Sequence, residues 1–250
     1  MQIPDLHTAA AGNLVGWHDA HLRALGFPTQ QVDGLWLTTA PVPVIFFSAI
    51  ALGPGASAGT AAACPPRDHW IAVSDPWGDL RLDAYGFTAE GDQGWMVRRP
   101  SSPLVVPPLP AELMIEQVAD AEALHDFEIA SALGFGTEPQ PAATWHAPAI
   151  LDDPRFTILR GRVDGRTVAT SMSYRNAGVL GVYGVATLPE ARRRGYAAAM
   201  TWAAVAADPS IPAVLQPSEM AVSLYARLGF EGFTTFRSWA RLPILTGGDS

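Results

Sequence analysis

Apolar positions in the second half of the chain change between the strand and helix periods, which predicts an α+β protein with a mixed sheet. Val179–Thr187 is a continuous apolar run that predicts a buried strand, and the alanine-rich segment from Tyr196 predicts a helix. Before them, residues 156–163 and 167–174 form two strand patterns around Asp164-Gly165, a pair that favours a tight hairpin turn.

The same pattern places elements along the rest of the chain. Helices are expected at 13–26, with Asn13 as a candidate cap, at 80–85, at 120–133, where Asp120 is the candidate cap, and at 218–228. Residues 51–68 contain several glycines without dinucleotide-loop spacing, followed by two prolines, and are expected to form a loop. Further strands are expected at 35–39, 42–52, 69–74, 94–98, 114–118, 213–215 and 232–242.

Two domains are expected, divided by a proline-rich segment. Residues 101–110 read SSPLVVPPLP, a composition that resists regular structure and is typical of a linker. The prediction is an N-terminal domain of residues 1–100 and a C-terminal domain of residues 111–250. A faint internal similarity joins residues 70–100 to residues 213–243, since both read strand, proline turn, helix, Gly-Phe and strand.

Charge and cysteine content exclude several classes of protein. The formal net charge is −8, which argues against binding of nucleic acid or an anionic membrane surface. No apolar run is long enough to span a bilayer, and no signal peptide pattern is present. Cys64 is the single cysteine, so no internal disulfide forms, and a cytoplasmic location is expected. No Cys, His and carboxylate cluster with ligand spacing indicates a metal site.

The segment between the strand at 179–187 and the following helix has the chemistry of a phosphate site. It carries Arg192, Arg193, Arg194 and Gly195 directly before the helix. The first turn of a helix has unpaired N–H groups and a partial positive charge, which together attract an anion. All 16 basic residues are arginine, so an anion here would meet guanidinium groups or backbone amides.

This segment resembles the GCN5-related N-acetyltransferases (GNAT). The motif G-V-A-T-x-P-x-x-R-R-R-G-Y-A, which starts at Gly184, is similar to the family's acyl-CoA motif, with Arg192, Gly195 and Ala197 at its key positions. The later L-Y-x-x-x-G-F run that contains Tyr225, the start MIEQVADAEAL and a domain of about 140 residues support the resemblance. It implies a mixed sheet flanked by helices, with acetyl-CoA bound where two central strands separate.

The resemblance implies one acetyl-CoA site per chain. Backbone groups of the strand would pair with the pantetheine arm, and amides at the start of the helix would hold the pyrophosphate. The implied cofactor-binding residues are Val185, Ala186, Thr187, Arg192, Arg193, Arg194, Gly195, Tyr196, Ala197 and Ala198.

Tyr225 lies where many members of the family place a tyrosine that protonates the departing CoA thiolate. A phenol suits that role, although Tyr225 also fits the edge of an apolar helix stripe. The general base stays open between Tyr183, Glu128 and a water relay, because the strand at 179–187 carries no carboxylate.

The N-terminal domain is expected to be a degenerate GNAT-like copy that binds no CoA. It lacks an R-x-x-G-x-A motif, and Leu82 takes the place of Tyr225 when the two Gly-Phe pairs are aligned. The leading hypothesis is a tandem GNAT-like N-acetyltransferase, a monomer or homodimer, that moves acetyl directly from acetyl-CoA to a primary amine of a small molecule or peptide. The alternative is a non-catalytic acyl-CoA sensor or scaffold.

Overall fold

A computed structural model describes residues 5–65, 70–101 and 105–242. The elements of the first part are α1 (Leu6–Ala24), β1 (Thr29–Val32), β2 (Leu35–Thr38), β3 (Ala49–Ala51), α2 (Ala58–Ala62), β4 (Ile71–Asp75) and β5 (Thr88–Arg98). The second part contains β6 (Met114–Gln117), α3 (Ala121–Phe135), β7 (Phe156–Val163), β8 (Arg166–Asn176), β9 (Val179–Thr187), α4 (Tyr196–Ala206), β10 (Ala213–Leu215), α5 (Val222–Arg227) and β11 (Glu231–Arg241).

The chain divides into two compact units. One comprises the residues up to Leu25 together with Gly94–Thr234, and the other comprises Gly26–Gln93 together with the residues from Thr235 onward. This division differs from the predicted boundary at residues 101–110, because α1 folds with the C-terminal elements. Residues 102–104 of the expected linker lie outside the described residues.

The larger unit is built on a mixed sheet. Its strand order is β5-β10-β9-β8-β7-β6, in which β9 and β10 are parallel and the other pairs are antiparallel. Asp164 and Gly165 both have positive φ at the β7–β8 turn, as a type I′ hairpin requires. Apolar residues of β9 and α4, among them Leu180 and Met200, form its core with residues of β10 and α5.

The smaller unit has its own core. Its strands follow the order β1-β2-β3-β4-β11, where the residues of β11 that pair with β4 are 237–241. Leu35, Val73 and Trp239 are buried in this core together with Leu82, the residue that aligns with Tyr225. Both aligned segments show a strand, a short helical turn, Gly-Phe and a long strand, as the faint internal similarity predicts.

Several predicted elements have other bounds in the structure. The expected strand at 42–52 is confined to β3, and the expected loop at 51–68 contains the short helix α2, capped by Ser57. The helix expected at 218–228 divides into a 3₁₀ turn at Glu219–Ala221 and α5. His69 of the expected strand at 69–74, and Pro243 of the internal similarity, lie outside the described residues.

Helix α1 begins earlier than its apolar pattern indicates. Asp5 caps it, and the predicted cap Asn13 lies inside the helix and is fully buried. The amide nitrogen of Asn13 donates to the carbonyls of Tyr174, Asn176 and Val179 at 3.0–3.2 Å, and its oxygen accepts a 2.7 Å bond from the Tyr183 hydroxyl. Asn13 therefore attaches α1 to the end of β8 and to β9.

Replacement of Asn13 by alanine should lower the free energy of unfolding by about 2–4 kcal/mol, because buried carbonyls lose their donor. Chemical denaturation followed by tryptophan fluorescence measures the loss. Arg23→Ala is the control on the same helix, since its ion pair with Asp19 is exposed and contributes little. Equal stability of both variants would contradict the attachment of α1 through Asn13.

Buried histidines of α1 predict a loss of stability in acid. Burial lowers the pKa of His18 to about 3 and that of His21 to about 4, from an ordinary 6.5. Below pH 6.5 these histidines bind protons in the unfolded chain but stay neutral in the folded chain. The stabilisation present above pH 6.5 is therefore lost as the pH falls towards 4. The thermal midpoint should be several degrees lower at pH 5 than at pH 7.5, and equal midpoints would contradict this.

Candidate functional site

The parallel strands β9 and β10 separate shortly after they pair. Their register joins Leu180 to Ala213 and Gly181 to Val214, and β10 ends one residue later at Leu215, while β9 continues to Thr187. A Cβ atom at Gly181 would collide with the Asn13 amide oxygen and the Tyr183 ring, so glycine is required at the point of separation. Beyond it, the edge of β9 is available to a ligand.

A β-bulge follows in β9. Met172 pairs with Tyr183 and Thr170 pairs with Ala186, so β9 has one residue more than β8 between these pairs. Gly184 takes a positive φ of 59° there, and its carbonyl accepts a 2.8 Å bond from the Thr170 hydroxyl. The bulge changes the direction of the backbone at residues 184–185, beside the separated edge.

The turn before α4 exposes backbone N–H groups. Arg193 and Gly195 have positive φ values of 64° and 84°, and no side chain caps the first turn of α4. Unpaired N–H groups and the helix dipole make such a helix start a site for an anion. The geometry thus fits the phosphate site that the sequence predicts.

The guanidinium of Arg192 stabilises this turn from the side. It donates to the carbonyls of Thr187, at 3.3 Å, and Gly134, at 2.8 Å. Gly134 lies so close to β9 that a Cβ atom there would be 2.8 Å from the Cβ of Ala186. Arg192 therefore fixes the end of α3, the end of β9 and the turn relative to one another.

These elements enclose an elongated cleft of about 900 Å³, called the β9–α4 cleft from here on. All predicted cofactor-binding residues except Arg194 line it, and Tyr225 lines it too. Tyr196 has a buried side chain whose hydroxyl donates a 2.8 Å bond to Glu112, and Arg194 also interacts with Tyr196 and Glu112. The sequence analysis did not identify Gly134, Phe135, Ala191, Ser218, Met220, Ala221, Leu224 or Arg227, which also line the cleft.

A second cavity, of about 200 Å³, adjoins the cleft. The two share Phe135, Val185, Ser218, Ala221 and Tyr225. The other residues that line the second cavity are Ala10, Leu14, Trp95, Val182, Tyr183, Gly184, Val214, Leu215 and Gln216. Helix α1 thus contributes to its wall, which no periodicity in α1 indicates.

Tyr225 lies where the two cavities meet. Its ring is buried, and burial raises the pKa of its phenol to about 12. Among the described residues its hydroxyl has no hydrogen-bond partner, so the proton is available to a ligand. A phenol that stays protonated up to high pH is suited to give a proton to a leaving group of similar basicity.

The two side chains considered as general base are both engaged. Glu128 accepts bonds of 2.9–3.3 Å from the backbone N–H groups of Ala143, Trp145 and His146, and so holds that loop. The Tyr183 hydroxyl donates to Asn13, and burial raises its pKa far above the ordinary value. Neither arrangement favours removal of a proton from an amine.

The family model described as "Acetyltransferase (GNAT) family" matches residues 121–230. This range includes α3, β9, α4 and α5, the elements that form the β9–α4 cleft. Residues 121–230 form a GNAT domain. The match assigns the domain to a family of acyltransferases that use acyl-CoA. No match was found among the curated proteins.

Solved structures agree with the GNAT fold. The GCN5-related N-acetyltransferase from Kribbella flavida is 24% identical and has a TM-score of 0.62, covering 92% of this chain and 96% of its own. That from Sphaerobacter thermophilus is 15% identical, with a TM-score of 0.58 over 94% of this chain and 93% of its own. A tandem GNAT protein from the clavulanic acid biosynthesis pathway is 12% identical, with a TM-score of 0.52 and 97% of each chain covered. These likenesses show the GNAT fold.

Among the residues that the structure describes, no group of three or more His, Cys, Asp or Glu side chains could hold a metal ion. No helix among them is long and apolar enough to cross a membrane.

Replacement of Gly195 by alanine should weaken CoA binding at least tenfold, because a Cβ strains the positive φ and alters the amides that face the cleft. Isothermal titration with CoA measures the affinity. Gly136→Ala is the matched control, since Gly136 has a similar φ of 76° at the end of α3 but does not line the cleft. Both variants should lose similar stability, and unchanged CoA affinity of Gly195→Ala would contradict the site.

Proposed function

We propose that this protein is an N-acetyltransferase that transfers acetyl directly from acetyl-CoA to a primary amine. The observation that carries the proposal is the continuity of the two cavities: the β9–α4 cleft runs from the uncapped start of α4 to Tyr225, and the second cavity begins there. A ligand with phosphates at one end and a thioester at the other matches this order of chemical groups.

Acetyl-CoA would lie along the β9–α4 cleft. Backbone amides of residues 193–198 would hold the pyrophosphate, and the exposed Arg193 would add a charge-assisted bond. The pantetheine arm would pair with the free edge of β9 at residues 185–187, as an added strand would. Arg227 also lines the cleft and is a further cation there.

The reaction would take place beside Tyr225. The amine lone pair attacks the thioester carbonyl carbon, a C–N bond forms, and the negative charge on oxygen is stabilised by backbone N–H groups at the bulge of β9. Collapse of this intermediate breaks the C–S bond, and the thiolate takes the proton of Tyr225. The amine gives up one proton to water, and solvent returns one to Tyr225, so the products are an amide and free CoA.

The alternative function is acyl-CoA binding without transfer, as a sensor or a scaffold. The β9–α4 cleft supports both functions, since each needs the same CoA contacts. The free hydroxyl of Tyr225 at the junction favours transfer, because a binding module has no use for a proton donor at that point. The acceptor would be a small molecule or a peptide. The protein would act in the cytoplasm, as a monomer or a homodimer.

Exchange of Tyr225 for phenylalanine should lower kcat by about 100-fold, the range of a lost general acid, while the affinity for CoA stays within twofold. Release of the CoA thiol, followed with a panel of amines, gives the rate, and titration calorimetry gives the affinity. Because its raised pKa keeps the phenol protonated, the rate of the unmodified protein should show no loss from ionisation of Tyr225 up to about pH 10.

Tyr85→Phe provides the control, since this exposed tyrosine of the smaller unit lies outside both cavities. Unchanged turnover of every amine by Tyr225→Phe would remove Tyr225 from the mechanism. If CoA raises the melting temperature but no amine releases its thiol, the binding function is the correct one.

A further inference from the structure

The second cavity differs in chemistry from the rest of this acidic protein. None of the residues that the structure shows lining it carries a carboxylate, guanidinium or imidazole group. Its walls combine apolar side chains and the rings of Trp95, Phe135, Tyr183 and Tyr225 with the uncharged polar side chains of Gln216 and Ser218. The carboxylates that give the chain its net charge of −8 thus do not attract a cation into the cavity by direct contact.

An ammonium group would be disfavoured in these surroundings. Moving an ammonium group out of water into a site without a carboxylate partner costs free energy, so the group enters more readily after it has lost its proton. The polar groups in the wall are Gln216, Ser218 and the two tyrosine hydroxyls, and none of them is a base near neutral pH. An amine that is already uncharged in water avoids this cost.

The size and shape of the cavity restrict the acceptor further. A closed apolar cavity of about 150 Å³ holds one benzene molecule. A cavity of about 200 Å³ therefore has room for one six-membered ring with its amino group. Aromatic side chains in the wall favour a flat ring, because ring pairs add about 0.5–1.5 kcal/mol to burial.

Gln216 supplies the one side-chain amide of the wall. It follows the last residue of β10, and its amide nitrogen is buried without a hydrogen-bond partner among the described residues. A buried donor without a partner is costly, so a ligand atom that accepts its hydrogen bond is favoured. Gln216 is thus the position at which the charge of the cavity can be changed with the least change of shape.

We propose that the acceptor of this enzyme is a small aromatic amine whose amino group is uncharged at neutral pH. This proposal rests on the proposed transferase function, since it assigns the second cavity to the acceptor. The neutral nitrogen would reach the thioester where the second cavity meets the β9–α4 cleft, at Tyr225. No general base is needed to prepare it, in agreement with the engaged states of Glu128 and Tyr183.

The test compares amines of equal size and different charge. Aniline and cyclohexylamine each carry one amino group on a six-membered ring, and at pH 7.5 the first is neutral and the second is cationic. With acetyl-CoA, kcat/KM from thiol release should be at least tenfold higher for aniline than for cyclohexylamine, spermidine or glucosamine. A tenfold preference for spermidine or glucosamine would overturn the proposal.

A charge change at Gln216 tests the location. Gln216→Glu places a carboxylate in the wall and should shift the ratio of kcat/KM between aniline and cyclohexylamine at least tenfold towards the cationic amine. Gln117→Glu makes the same chemical change at an exposed position of β6 and should leave the ratio unchanged. An unchanged ratio in Gln216→Glu would show that the acceptor binds outside the second cavity.

A binding measurement separates this proposal from the transferase function. Ligand-observed NMR with the CoA-loaded protein should detect aniline and its product acetanilide, but not spermidine or glucosamine. If aniline and acetanilide bind and no amine is acetylated, the transferase function fails and the ligand class of the cavity stands. If other amines are acetylated and neither aniline nor acetanilide binds, the transferase function stands and the ligand class is wrong.

Discussion

The separation of β9 from β10 after Gly181 is the constraint on which both cavities depend. Parallel strands that stay paired would use the N–H and C=O groups of β9 within the sheet and leave no edge for a ligand. The pairing stops because β10 ends at Leu215, and the bulge at Gly184 then turns the backbone of β9 away from the regular ladder. The free backbone groups that result are the ones a pantetheine arm can use.

The separated strand is held near its start and at its end by polar contacts to backbone. Asn13 of α1 binds three carbonyls near the start of β9, and the Arg192 guanidinium binds the carbonyls at the ends of β9 and α3. Such bonds fix positions without filling the cleft. Asn13, predicted as a helix cap, and Arg192, predicted as a cofactor-binding residue, thus both bind backbone carbonyls here.

Electrostatics divides the site into two regions. The start of α4, with Arg193 and its unpaired amides, is a positive region suited to phosphates, whereas none of the described residues that line the second cavity has a charged side chain. The division matches a reaction in which one substrate is a polyanion held by its distant end and the other is neutral. Tyr225 lies between the regions, and burial keeps its proton in place.

The sequence by itself determined most elements of residues 121–230 and the uncapped start of α4, at which the anion site is predicted. Local signals suffice for these: the apolar run of β9, the Asp164-Gly165 turn, the Asp120 cap and the glycine before α4 each act through residues close in the chain. The predicted strand at 42–52 was wrong over most of its length, because an apolar run does not indicate which strand its backbone will pair with.

Only the tertiary structure decided the unit to which α1 belongs, the side-chain role of Arg192 and the composition of the second cavity. Each depends on contacts between residues far apart in the chain, such as Asn13 with Tyr174, Arg192 with Gly134, and Leu14 with Gln216 across one cavity. Periodicity records which side of an element is apolar. Which distant surfaces then meet is fixed by packing and by the pairing of buried polar groups.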